Sequence, residues 1–159
     1  MKRVLVLVVL VVAVGVAAGV ALAARAGHGH GHGHHGKVVR VVEHATTDAV
    51  TNHADGAADS VGDVLTFTNE VFDKENAQKV GSDQGYCVRM IVGESWECVW
   101  TTFLPRGQIT VEGPFYDTAD STLAITGGTG AYRNARGEME LKYRNPAGTE
   151  FDFIFHVIG

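Results

Sequence analysis

From Val38 onward, apolar and polar positions alternate with a period of two. Glu138-Met139-Glu140-Leu141-Lys142-Tyr143-Arg144 alternates strictly, and after Asn145-Pro146-Ala147-Gly148 the apolar groups Phe151, Phe153, Phe155 and Val157 share one parity. Successive side chains of a strand point to opposite faces, so this pair predicts an antiparallel hairpin with one buried face. The same pattern predicts strands over 38–44, 64–71, 84–92, 96–104, 108–112 and 122–126. No window longer than ten residues shows a helical stripe. Residues 45–62 are polar and rich in Ala and Asp, and read as a long loop or lid. About eight short strands separated by turn residues predict a closed barrel or a sandwich.

The N-terminus breaks the pattern. Lys2 and Arg3 precede an uncharged run from Val4 to Ala24, which closes on small residues fitting an A-x-A cleavage site. That order predicts a secretory signal peptide over residues 1–26. An uncleaved anchor is the alternative, because the run approaches the length of a membrane span. Either way the rest of the chain is expected outside the cytoplasm, secreted or tethered. Cleavage after Ala26 leaves 133 of the 159 residues, room for one core rather than two.

Composition then excludes partners. Without the leader, 10 Lys and Arg face 18 Asp and Glu, a charge of about −8. An acidic chain with no basic stripe is a poor ligand for nucleic acid or an anionic membrane. Residues 27–37 alternate Gly and His and read as a flexible segment ahead of a domain spanning 38–159. Its His28, His30, His32, His34 and His35 are candidates for opportunistic Zn, Cu or Ni binding through neutral imidazoles. A solvated linker that charges below about pH 6.5 is the other reading.

Cys87 and Cys98 flank a turn near 92–94, and a simple hairpin register sets them on facing strands. In an exported protein such a pair is expected to form a disulfide; a free nucleophilic cysteine is the alternative. The same register sets Arg89 opposite Trp96, where a cation–π contact is available.

Residues 126–137, TGGTGAYRNARG, look at first like a dinucleotide loop. Such a loop follows an early strand and opens a helix. Here only 29 residues follow Gly130, they read as a hairpin, and Arg133 stands where a third glycine belongs. The stretch reads instead as a glycine corner between strands, with Tyr132 turned inward and Arg133 and Arg136 at the barrel's mouth or flank.

The segments SVGDVLTFTNEVFD, GYCVRMIV, GQITVEGPF and LAITGGTGAYRNARGEMEL follow the order and spacing of the allene oxide cyclase-like barrel family. GGTGAYRNARG also resembles the GGTG-x-F-R-x-A-R-G signature of dirigent proteins. The resemblance covers the chain from about Val38 and implies an all-β fold, an eight-stranded antiparallel β-barrel around an apolar cavity, commonly assembled as a homotrimer. Allene oxide cyclases close an unstable fatty-acid epoxide without a cofactor. Dirigent proteins guide phenoxy-radical coupling or quinone methide cyclisation.

By motif, Glu43 in VVEH matches a glutamate that stabilises charge, and Asn69 in FTN matches a polar residue near the epoxide. Both are candidate catalytic residues. Cys87 matches a pocket cysteine. Phe115, Tyr116, Trp100, Arg133 and Arg136 are the candidate substrate-binding residues. The family's tyrosine after Gly-Pro is Phe115 here, and an asparagine two residues beyond the glutamate is Ala45. The aspartate of the dirigent G-R-D motif also falls at Phe115, with Asp117 two positions on. Glu43 has an alternative as a solvated strand-end carboxylate, Asn69 as a turn residue, and the two arginines as partners of barrel-end carboxylates. His44 and His156 are expected to face outward.

Two functions follow. One is a secreted, cofactor-free cyclase, isomerase or stereocontrol protein acting on a hydrophobic small molecule, which needs Glu43 in an open apolar cavity beside Asn69. The other is a non-catalytic lipid- or metabolite-binding or structural barrel, with a filled lumen or no converging carboxylate.

Overall fold

A computed structural model describes residues 36–54 and 58–159. The leader and the histidine-rich segment, His28, His30, His32, His34 and His35 included, lie outside the described residues. Among the described residues nine strands run in chain order: β1 (Lys37–His44), β2 (Ala49–Thr51), β3 (Val64–Asp73), β4 (Lys79–Ile91), β5 (Ser95–Leu104), β6 (Gly107–Tyr116), β7 (Ser121–Gly128), β8 (Arg136–Tyr143) and β9 (Glu150–Ile158). The sheet order is β1-β9-β8-β7-β6-β5-β4-β3-β2, every pairing between neighbours is antiparallel, and β1 also pairs with β3. That pairing closes an eight-stranded barrel and leaves no free edge in it.

β2 is not a separate stave. β1 and β2 both lie along β3, with His44 opposite Glu70 and Ala49 opposite Thr66. Residues 45–48 form a bulge between them, with Ala45 packed against the core and Asp48 in a cavity wall, so part of the expected 45–62 loop is really a continuation of β1. The three β2 residues are all exposed, and a strand with no buried face leaves no alternation to read.

Along each stave one parity faces the lumen. On β9 this set is Phe151, Phe153, Phe155 and Val157, all buried. One end of the barrel is packed solid by Ile109, Met139, Phe155 and Tyr132. Tyr132 comes from the short 3-10 turn Gly130–Tyr132, which joins β7 to β8. Gly130 has φ 59°, and a Cβ there would sit 2.5 Å from the Arg106 carbonyl oxygen. Only glycine fits such a corner.

Several strands run longer than their sequence pattern predicts, β4 and β6 most of all. β4 begins at Lys79, since the polar residues 82–84 hide the alternation. β6 continues through Gly113 and Pro114 to Tyr116. Its pairing with β7 ends at Glu112, so Pro114 withholds no N–H from that ladder.

Cys87 and Cys98 face each other across β4 and β5 and are joined by a disulfide. It closes an 11-residue separation, so reduction should lower the unfolding free energy by about 2–3 kcal/mol. Chemical denaturation with and without reductant reads this as a lower midpoint.

Candidate functional site

The other half of the barrel is open. A cavity of about 360 Å³ lies between the staves, under the β8–β9 turn at Pro146–Gly148, a size suited to a small organic ligand. Much of its wall is apolar: Leu65, Phe67, Trp100, Phe115, Leu141 and Phe153. The disulfide forms part of the same wall. Gly85 makes room for Trp100. It lies across from that residue, and a Cβ there would come within 2.3 Å of the Trp100 Cβ. Trp100 therefore packs inward, 6.1 Å from Phe67 and 5.6 Å from Phe153 between ring centroids. Nearer the mouth, Phe115, Tyr143 and Phe151 form an aromatic group with centroids 4.8 to 6.2 Å apart.

Glu43 interrupts this apolar wall. It is the penultimate residue of β1, on the lumen parity set by Val41, and is only 5% exposed. Asn69, on β3, points at it. The Asn69 Nδ2 donates to Glu43 Oε1 at 2.9 Å and to Asp48 Oδ1 at 3.0 Å. Its Oδ1 accepts from the Thr46 and Thr47 backbone N–H groups at 3.1 and 3.0 Å, and from Thr47 Oγ1. Donors and acceptors of the 45–48 bulge and the Glu43 carboxyl thus converge on one amide, and this network fixes its orientation.

A third carboxyl lies behind Glu43. Asp83, on β4 opposite Asn69, is fully buried and within hydrogen-bonding reach of Glu43. Its Oδ1 accepts from the Asn69 backbone N–H at 3.3 Å. Burial pushes the Glu43 carboxyl up to about 7, against the lowering effect of the Asn69 hydrogen bond. Burial and the adjacent Glu43 push Asp83 higher still, to about 10. Between about pH 7 and about pH 10 the pair holds a single proton, and below that range it takes up a second.

The folded protein therefore binds more protons than the unfolded chain above the ordinary carboxyl values of 4.5 and 3.8. The stability this pair contributes is full below those values and is lost as pH rises through the folded ones. The pair's contribution to the melting temperature should fall from about pH 5 to about pH 10, and fall less in Asp83→Asn, as read by thermal denaturation across that range.

At the mouth, Asp117 belongs to the cavity wall and is held by Arg89. The Arg89 Nη1 donates to both Asp117 oxygens at 2.9 and 2.7 Å, and its Nε donates to Asp59 at 2.8 Å. The guanidinium lies 3.9 Å from the Trp96 ring centroid, the pairing expected from the hairpin register. The Trp96 Nε1 and the Tyr143 hydroxyl also donate to Asp117, at its Oδ1 and backbone oxygen respectively.

The other candidates are divided by the fold. Glu43, Trp100 and Phe115 line the cavity, and Asn69 sits behind it against Glu43. Tyr116 does not line it, because it has the opposite parity to Phe115 on β6 and is exposed. Arg133 and Arg136 are exposed at the solid end, away from the mouth. β7 ends and β8 starts there, whereas β1 delivers Glu43 toward the opposite end. His44 packs on Phe72 and bonds Asn76, and His156 bonds Glu140, both on the outer face. Among the described residues no His, Cys, Asp and Glu cluster is arranged to hold a metal ion.

Residues 42–154 match the allene oxide cyclase barrel like domain, and the chain belongs to that family. Solved structures share the barrel. A pyocyanin demethylase is 24% identical, with 75% of this chain and 100% of that chain covered at a TM-score of 0.62. The pterocarpan synthase dirigent protein PsPTS1 is 20% identical, with 78% and 97% covered at 0.63. The exo-specific intermolecular Diels-Alderase AbnU is 17% identical, with 78% and 98% covered at 0.60. At these identities the likeness is one of fold.

Proposed function

We propose that this barrel binds an apolar small molecule in its cavity and acts on it without a cofactor, as a cyclase, isomerase or stereocontrol protein. One observation carries the reading: the buried carboxyl of Glu43, with a proton affinity near neutrality, meets a cavity walled by Leu65, Phe67, Trp100 and Phe153, with Asp48 as its acidic neighbour in the lining. Such a group is matched to moving a proton at physiological pH. Glu43 takes a proton from the bound molecule at one position and returns it at another, so the atoms balance without a co-reactant. Trp100, Phe67 and Phe115 hold the molecule folded for ring closure, where orientation alone supplies several kcal/mol. The disulfide suits an exported protein working in an oxidising compartment.

A second reading, a metabolite carrier, draws on how little of Glu43 reaches the cavity, since Asn69 and Asp83 already engage its carboxyl. Incubation of the protein with a hydrophobic metabolite pool, followed by mass spectrometry, separates the two. New products of unchanged mass composition support the isomerase or cyclase. Compounds retained but unaltered support the carrier.

A further inference from the structure

We propose that Asp83 is a positioning residue for Glu43: a carboxylic acid kept in its neutral form, whose O–H donates to the Glu43 carboxylate and aims it at the cavity. This deepens the proposed function and rests on it, since it matters for catalysis only if Glu43 moves the proton.

The geometry carries the assignment. Asp83 shares the lumen parity of β4 with Gly85, Cys87 and Arg89, yet it does not reach the cavity and touches no solvent. It is therefore not a group that meets the ligand. Its Oδ2 has no partner as long as both carboxyls are ionised. A buried carboxylate oxygen left so would carry a full desolvation penalty. A proton on Asp83 removes the difficulty, because its carboxyl then donates to Glu43. The neighbours fit a neutral acid. Thr102, facing it on β5, and Asn69, facing it on β3, are uncharged, and the charged groups acting on the pair are Glu43 and Asp48, both acidic. Among them the Asn69 backbone N–H favours a charge on Asp83, and burial with the two acidic neighbours outweighs it.

The consequence is a division of labour. Asn69 holds one side of the Glu43 carboxyl and Asp83 the other, leaving the carboxylate fixed in direction and able to gain one proton. Asp83 keeps its own proton throughout, so the catalytic cycle remains a one-proton exchange.

The test is a carbon-13 NMR titration of side-chain carboxyls in the ligand-free protein, for wild type, Asp83→Asn and Asp83→Val. Asparagine keeps a neutral donor, so the Glu43 midpoint should stay within about one pH unit of wild type. Valine removes the donor but not the burial, and should raise it by more than about one unit. The Asp83 resonance should show no ionisation until Glu43 has titrated. Equal midpoints in both variants would make Asp83 mere packing, and a large fall in Asp83→Asn would mean it is charged; either overturns the proposal. If the valine substitution prevents folding, the asparagine variant and the order of ionisation in wild type still decide it. The titration needs no substrate, so its result stands apart from the search for turnover. A protein that converts nothing yet shows the split keeps the acid pair. One that turns over without the split loses Asp83.

Discussion

Glu43→Gln should abolish turnover and leave ligand binding nearly intact. Glutamine has the same shape and keeps an oxygen for the Asn69 amide, so the wall of the cavity is preserved. What it lacks is a proton to exchange. Loss of a positioned acid–base group lowers kcat by about 10²–10⁴-fold, while Kd for a retained compound should change by less than about threefold because glutamine preserves the shape of the wall. In wild type the pH–rate profile should bend at about 7, the value to which burial lifts Glu43, and that inflection should be missing from the variant. The bend belongs to the Glu43–Asp83 pair rather than to either residue alone. Product mass spectra over a pH series check both parts, and undiminished turnover would remove Glu43 from the mechanism.

Asn69→Ala should be the most destabilising of the single changes near the cavity. It strips the acceptor from the Thr46 and Thr47 backbone groups and the donor from Glu43 and Asp48 at once. Groups left unsatisfied in partly buried surroundings cost about 1–3 kcal/mol each, with some relief where water reaches the bulge. A net loss of about 2–4 kcal/mol, roughly 10 °C in melting temperature, is expected. Asn69→Asp gives the sharper result. It keeps the acceptor but adds a carboxylate to a cluster that already holds Glu43, Asp48 and Asp83. Its deficit should be greatest at alkaline pH and shrink on acidification, which thermal melts at several pH values would show. A pH-independent deficit would mean that Asn69 serves only as a packing residue.

The barrel was legible because its staves alternate cleanly and because the motif order resembles one family. Glu43 and Asn69 were marked by motif, and their lumen-side burial was left open, because the apolar residues 38, 39, 41 and 42 of β1 show no strict alternation. Asp83 was not legible. It sits in the run Gly81-Ser82-Asp83-Gln84, where no apolar residue marks the inward parity, and the predicted strand began one residue too late to include it. Asp48, which also lines the cavity, was hidden in the 45–48 bulge for a similar reason: irregular backbone has no period to read. Arg133 and Arg136 show a different gap. The glycine corner was recognisable, but which end of the barrel it occupies follows only from counting antiparallel staves back to Glu43. Tyr116 was misplaced by adjacency, since one step along a strand changes the face.

The solid packing of one barrel end by Ile109, Met139, Phe155 and Tyr132 has a kinetic side. A blind pocket has a single doorway, so whatever forms beside Glu43 leaves by the path its precursor took, past Asp117 and the Pro146–Gly148 turn. Newcomer and departing molecule cannot pass each other. On the proposed function, accumulated product then competes directly with substrate for that doorway, and added product should inhibit competitively.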